Sequence, residues 1–209
     1  MSEIQEPVQA SYPPAPWRSS GRLWMGLFKT DVPPPLPDGL KRLLNPNWLV
    51  VTVVRYLEGT LCYDELVLGG LARRGLRLGM WVYGMWVDDE VSLWGGRRIW
   101  GLHKEMADFA WEGNTVRISD EQGPITTLVV DRSEVGRLPK VWVPTLGLGF
   151  LDGQWTYTVA SMWGRLARGG LRVSEWSERF PYRPNGEATF SLSAKPFRMT
   201  VPPPKILRD

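Results

Sequence analysis

One histidine, His103, and one cysteine, Cys62, are all that the 209-residue chain offers for imidazole or thiol chemistry. A Ser-His-Asp or Cys-His centre would have to be built on that single imidazole, and no Gly-x-Ser-x-Gly elbow occurs. A zinc site would run short of His and Cys ligands, so no metal is expected. The lone Cys62 excludes an intramolecular disulfide and fits a reducing compartment. A long apolar run and a signal peptide are also missing, which gives a cytosolic (cytoplasmic) reading with no membrane partner. No phosphate-binding loop or dinucleotide fingerprint follows a strand, because Gly95-Gly96-Arg97-Arg98 has the wrong spacing. Hydrolase, kinase and dehydrogenase chemistry are poorly supported, and no cofactor is expected. Charge of either sign is in small excess only: 25 Lys and Arg face 22 Asp and Glu, for a net +3. The cations are scattered, so a nucleic-acid footprint is not expected either. Lysine, carboxylate and arginine chemistry remains.

Tryptophan and glycine are plentiful, at 12 and 22 residues, and large rings with tight turns favour a β-rich fold. Proline gathers in Tyr12-Pro13-Pro14-Ala15-Pro16, Val32-Pro33-Pro34-Pro35 and Val201-Pro202-Pro203-Pro204, which read as extended arms or loops. Strands are expected at Trp48 to Leu57, Tyr63 to Leu68 and Leu78 to Val87, the last apolar on nearly both faces. Val91 to Trp94 reads as one more short strand. A hairpin is expected for Thr115 to Ser119 and Ile125 to Asp131, turning at Asp120-Glu121-Gln122-Gly123. Trp155 to Met162, Leu171 to Trp176 and Ala188 to Ser193 follow in the same style. Helical spacing is expected in two places, Leu36 to Leu44 and Lys104 to Trp111. The fold class is therefore mainly β (α+β), an antiparallel, barrel-like sheet with a few short helices. Residues 1–11 read as a flexible tail, and residues 12–209 as a single domain without internal repeats.

Three segments, in this order and at this spacing, resemble the acetoacetate decarboxylase superfamily over about residues 12–135. Val87-Asp88-Asp89-Glu90, Gly96-Arg97 and Gly101-Leu102-His103-Lys104 form a run similar to that family's Leu-Asp-x-Glu, Gly-Arg and x-x-Pro-Lys, with Lys104 at the Schiff-base position. Leu61-Cys62-Tyr63-Asp64-Glu65 resembles its strand-borne Cys-Tyr-x-Glu and implies an active-site glutamate at Glu65. Gly21-Arg22 through Phe28-Lys29-Thr30-Asp31 resembles the segment with a substrate-facing arginine, which implies Arg22. Two positions depart from the pattern. Glu105 replaces the second lysine of the decarboxylase, and His103 replaces the proline before the reactive lysine. The resemblance also implies a homo-oligomer.

The chemistry of these residues can be reasoned without the family. A lysine amine that attacks a ketone and loses water leaves an iminium, which draws electrons from the neighbouring carbon. Burial disfavours the charged amine, and Ile99, Trp100, Leu102, Met106 and Phe109 frame Lys104 with apolar groups. Glu65 would move a proton, and Arg22 would fork onto a substrate carboxylate. Tyr83, Trp86 and Trp94 are candidate pocket walls. Plainer roles stand beside these. Lys104 also reads as a snorkelling cation at a helix start, and Arg22 with Glu65 as a structural ion pair. Arg97 reads as a turn anchor or the partner of an acid such as Glu90, His103 as a cap or a packing group near the helix start, and Cys62 as a small core residue. The resulting expectation is a Schiff-base-forming lyase on a small oxo acid, of decarboxylase or aldolase/dehydratase type. Its alternative is a non-catalytic barrel of the same fold that binds a small hydrophobic or acidic ligand, with Lys104 as a salt-bridging cation.

Overall fold

A computed structural model of the protein describes residues 11–43, 46–130 and 139–208. The fold is mainly β, as expected, and its centre is a closed barrel. Seven long strands form the ring: β1 (Trp17–Thr30), β3 (Trp48–Gly59), β4 (Tyr63–Arg74), β5 (Arg77–Val87), β10 (Lys140–Leu151), β11 (Gln154–Arg168) and β13 (Pro184–Val201). Around the ring the order is β4-β3-β1-β13-β11-β10-β5, and a β4–β5 pairing closes it. β2 (Lys41–Arg42) adds to β4, and β14 (Lys205–Leu207) to β11. A second sheet of four strands, β7 (Asp108–Glu112), β8 (Thr115–Asp120), β9 (Gly123–Val130) and β12 (Leu171–Trp176), packs against the outside of the barrel.

Alternation along the strands sorts side chains between two cores. Leu49, Val51, Val53, Leu66 and Leu68 are 0% exposed and face outward, against Val116, Ile118, Ile125 and Leu128 of the second sheet. Burying each of those aliphatic side chains contributes about 1.5–3 kcal/mol. The intervening positions point into the lumen. Leu23, Val54, Tyr56, Tyr63, Val143, Met162, Ala194 and Phe197 come from β1, β3, β4, β10, β11 and β13, and converge in one cluster. The run Trp48–Leu57 is apolar on both sides because its strand lies between these two cores.

The seam between β5 and β10 is short. β10 pairs with β5 only at Met80 and Trp81, and β6 (Lys104–Met106) takes the same edge further along, opposite Met85 to Val87. This insertion brings Lys104 into the barrel wall.

Three expected elements differ from the structure. Leu36 to Leu44 is not a helix over its described part, because Pro37 and Gly39 (φ 89°) make a turn that buries Leu40 against Ala72, Leu148 and Tyr157. Leu44 lies outside the described residues. Val91 to Trp94 is not a strand but part of helix α1 (Glu90–Gly95). Asp89 caps that helix by accepting from the Ser92 N–H at 2.6 Å, which overrides the β preference of Val91. Lys104 to Trp111 is not a helix but the strands β6 and β7. A single π-helical turn, Gly96–Trp100, ends at Gly101, whose left-handed backbone (φ 67°) stops helical propagation. Beyond it, Phe109 and Trp111 pack on the outer core at a period of two while Asp108, Ala110 and Glu112 are exposed. Asp131, the expected end of β9, and residues 1–10 of the expected tail also lie outside the described residues.

Candidate active site

The site forms where one end of β4 meets α1 and β6. Tyr63 and Glu65 are two residues apart on β4, so both project into the lumen. Tyr56 on β3 is the cross-strand partner of Tyr63, with ring centroids 4.5 Å apart. The two phenols donate to opposite oxygens of one carboxylate. Tyr56 reaches Glu65 Oε1 and Tyr63 reaches Glu65 Oε2, each at 3.3 Å. Burial pushes both phenols well above the usual tyrosine range, and the charge of Glu65 adds to the effect.

Lys104 completes the cluster. It is 3% exposed, and its Nζ donates to Glu65 Oε2 at 2.8 Å and to Ser92 Oγ at 2.9 Å. The Tyr63 ring faces the same nitrogen at 5.1 Å. A lysine this buried needs its charge met, and the carboxylate, the hydroxyl and the ring meet it.

Asp88 and Asp89 are scaffolding rather than chemistry. Asp88 Oδ1 accepts from the Asp64 N–H at 2.7 Å, and Asp89 caps α1, which sets Ser92 in place. Gly96 lets the lysine stem pass, because a Cβ there would lie 2.5 Å from Lys104 Cε and 2.6 Å from Cδ. Arg97 donates from Nε and Nη2 to the Lys104 carbonyl, at 2.8 and 2.5 Å, and stacks over Trp94 at 5.2 Å. It is a turn anchor, as expected, and it fixes the backbone that carries the amine.

Glu105 does not enter this cluster. Successive side chains on a strand point to opposite faces, so Glu105 turns away from Lys104 toward His103, 3.5 Å distant. Hydrogen bonding from His103 holds the Glu105 carboxyl below its ordinary range, against the opposing effect of burial. His103 is thus an exposed partner of Glu105 and caps no helix. Cys62 is exposed, not a core residue, and its Sγ lies 3.3 Å from the Leu57 carbonyl.

Of the residues singled out from sequence, Lys104 and Glu65 meet, and Trp94 packs beside them with Tyr63, Leu93 and Val87. The other three are placed elsewhere. Arg22 is exposed on the outer face of β1 opposite Arg55, itself ion-paired to Asp64 at 3.0 Å. Trp86 follows Met85, the partner of Lys104, and alternation sends it to the outer core, 5.5 Å from Phe180. Tyr83 sits at a register shift of β5 and lines a cleft with Leu27, Arg42, Trp48, Val50 and Gly70, none of which contacts the Lys104 amine. Burial raises its phenol. Sequence reasoning missed Tyr56, Tyr63 and Ser92 as site residues. The spacing of Tyr63 two before Glu65 was a usable signal, whereas Tyr56 and Ser92 arrive only through strand register and the unexpected helix. Among the described residues no group of His, Cys, Asp and Glu is placed to hold a metal.

The family model described as acetoacetate decarboxylase matches residues 4–138, which include Tyr56, Tyr63, Glu65, Ser92 and Lys104. The chain belongs to the acetoacetate decarboxylase family. Solved structures with the same fold include the acetoacetate decarboxylase of Legionella pneumophila, 19% identical at a TM-score of 0.69, covering 100% of this chain and 93% of that one. An acetoacetate decarboxylase-like enzyme from Sphingomonas wittichii RW1 is 14% identical with a TM-score of 0.66, covering 100% and 99% of the two chains. The enduracididine biosynthesis enzyme MppR, solved in complex with pyruvate, is 15% identical with a TM-score of 0.65 over 94% and 92%. No curated protein matches the sequence. No helix among the described residues is long and apolar enough to cross a membrane.

Proposed function

We propose that this member of the acetoacetate decarboxylase family is a lyase that forms a Schiff base between Lys104 and a small oxo acid. The observation that carries this reading is a buried amine held 2.8 Å from a buried carboxylate, in a lumen lined by apolar and phenolic groups. Glu65 takes a proton from the Lys104 ammonium and frees the nitrogen lone pair. That pair attacks the carbonyl carbon, the C–N bond forms, and the carbonyl π electrons move to oxygen, which is protonated. That proton comes from nitrogen by way of Glu65, giving the carbinolamine; the proton first taken from the ammonium then goes to the hydroxyl, which leaves as water while the nitrogen lone pair forms the C=N bond of the iminium. The iminium then accepts the electron pair of a neighbouring C–C bond, for decarboxylation, or of a C–H bond, for aldol-type chemistry. The two phenols hold Glu65 in one orientation throughout. MppR, a relative in fold, was solved with pyruvate, a small oxo acid, which supports this substrate class.

Borohydride reduction in the presence of a panel of small oxo acids tests the reading. The expected result is a covalent mass increase on Lys104 with at least one of them and none in Lys104→Ala. An unmodified Lys104 across the panel would leave a ligand-binding barrel in which Lys104 and Glu65 form a structural ion pair.

A further inference from the structure

Thr52 is the one polar residue in the run Val50-Val51-Thr52-Val53-Val54 of β3. Val51 and Val53 face the outer core, so alternation turns Thr52 into the lumen with Val54 and Tyr56. It is 6% exposed, and its Oγ1 has no hydrogen-bond partner among the described residues. A buried hydroxyl without a partner is costly, and valine, the same shape, would avoid the cost at a position surrounded by valines.

The position of Thr52 relative to the amine suggests what the hydroxyl is for. Val54 pairs with Glu65, and Thr52 is the next lumen-facing residue along β3. Glu65 holds the Lys104 amine, so the amine lies in the Val54–Glu65 row, one step along from the row of Thr52 and Val67. One such step along a strand is roughly 7 Å. A carbonyl carbon bound at Lys104 and a second oxygen three bonds away span about 4 Å, and a hydrogen bond adds about 2.8 Å. The guanidinium expected to hold that second oxygen, Arg22, is exposed on the outer face instead.

We propose that Thr52 is a specificity-determining residue whose hydroxyl bonds a second oxygen function, hydroxyl or carboxylate, of the carbonyl compound held at Lys104. The inference rests on the Lys104 reading given above for where the carbonyl sits.

The test compares three probes: butanone, the hydroxybutanone whose oxygen lies three bonds from the keto carbon, and the oxo acid of the same spacing. Each is titrated against the native chain, Thr52→Val and Thr52→Ser. One readout is the concentration that half-saturates the borohydride adduct at Lys104, and the other is the rise in Tm on ligand addition, which needs no covalent step. The expected result is a loss of roughly five- to tenfold in Thr52→Val for at least one oxygenated probe. Butanone should be unchanged and Thr52→Ser close to native. The probe that shows the loss identifies the oxygen as hydroxyl or carboxylate. Equal losses for all three probes, or none, would overturn the inference. A Thr52-dependent rise in Tm without any adduct would keep the subsite and remove the imine chemistry. Neither adduct nor rise in Tm for the native chain would overturn both.

Discussion

Glu65→Gln severs the central ion pair while keeping the side-chain shape. The Lys104 ammonium then keeps Ser92 Oγ at 2.9 Å, the Tyr63 ring and the neutral amide oxygen as partners, but no counter-charge. The lost contact is 2.8 Å long between side chains only 4% and 8% exposed, so solvent screens it little. Removing one partner of such a pair costs about 3–5 kcal/mol. At this chain length each kcal/mol corresponds to roughly 2–4 °C in Tm, which predicts a fall of roughly 6–20 °C. Lys104→Met should cost less, because Glu65 keeps both phenol donors. The double substitution should recover most of the loss, since replacing a whole buried pair with neutral groups is often close to neutral. Urea and thermal unfolding followed by tryptophan fluorescence measure all four corners of the cycle. A double variant destabilised by the sum of the single losses would mean that the two groups do not interact, and the geometry argued above would be refuted.

Gly96→Ala should slow adduct formation at Lys104 by tenfold or more and lower Tm as well, because the backbone is ordinarily right-handed (φ −61°) and the added Cβ acts on the stem of the central ion pair. Its Cβ would displace the lysine stem at Cε and Cδ, so an unaltered rate with any reactive oxo acid would show that the stem has room. Alkaline titration should expose the buried phenols. Tyr56 and Tyr63 are raised well above 10.0 in the folded chain, and burial raises Tyr182 to about 12. The unfolded chain therefore loses these protons first, and stability falls as pH rises through about 10. Phenolate absorbance should show these groups ionising only with unfolding; their titration at ordinary pH in the folded chain would contradict their burial.

Composition and short-range pattern were enough to indicate a β barrel, because alternating and doubly apolar runs such as Trp48–Leu57 and Leu78–Val87 have few other ways to bury both faces. Lys104 and Glu65 were singled out for a different reason: their segments resemble ordered motifs of the family whose model matches residues 4–138. Local sequence was misleading around Lys104–Trp111. Met106, Phe109 and Ala110 fit a helical period by accident, and the decision fell to the left-handed Gly101 and to the free edge of β5. That edge also settled the place of Glu105. A helix would have put it about 100° from Lys104, whereas the strand puts it on the opposite face. Arg22, Tyr83 and Trp86 show the same limit, since side-chain direction in a barrel follows register and bulges that pair residues far apart in sequence. Tyr56 and Ser92 reach Lys104 only because β3 pairs with β4 and Asp89 winds a helix above the lumen. Sequence alone set which reactive groups the chain owns and that a mainly β fold would surround them. The closure of the barrel decided which of them share the lumen, because only closure fixes the face on which each side chain lies.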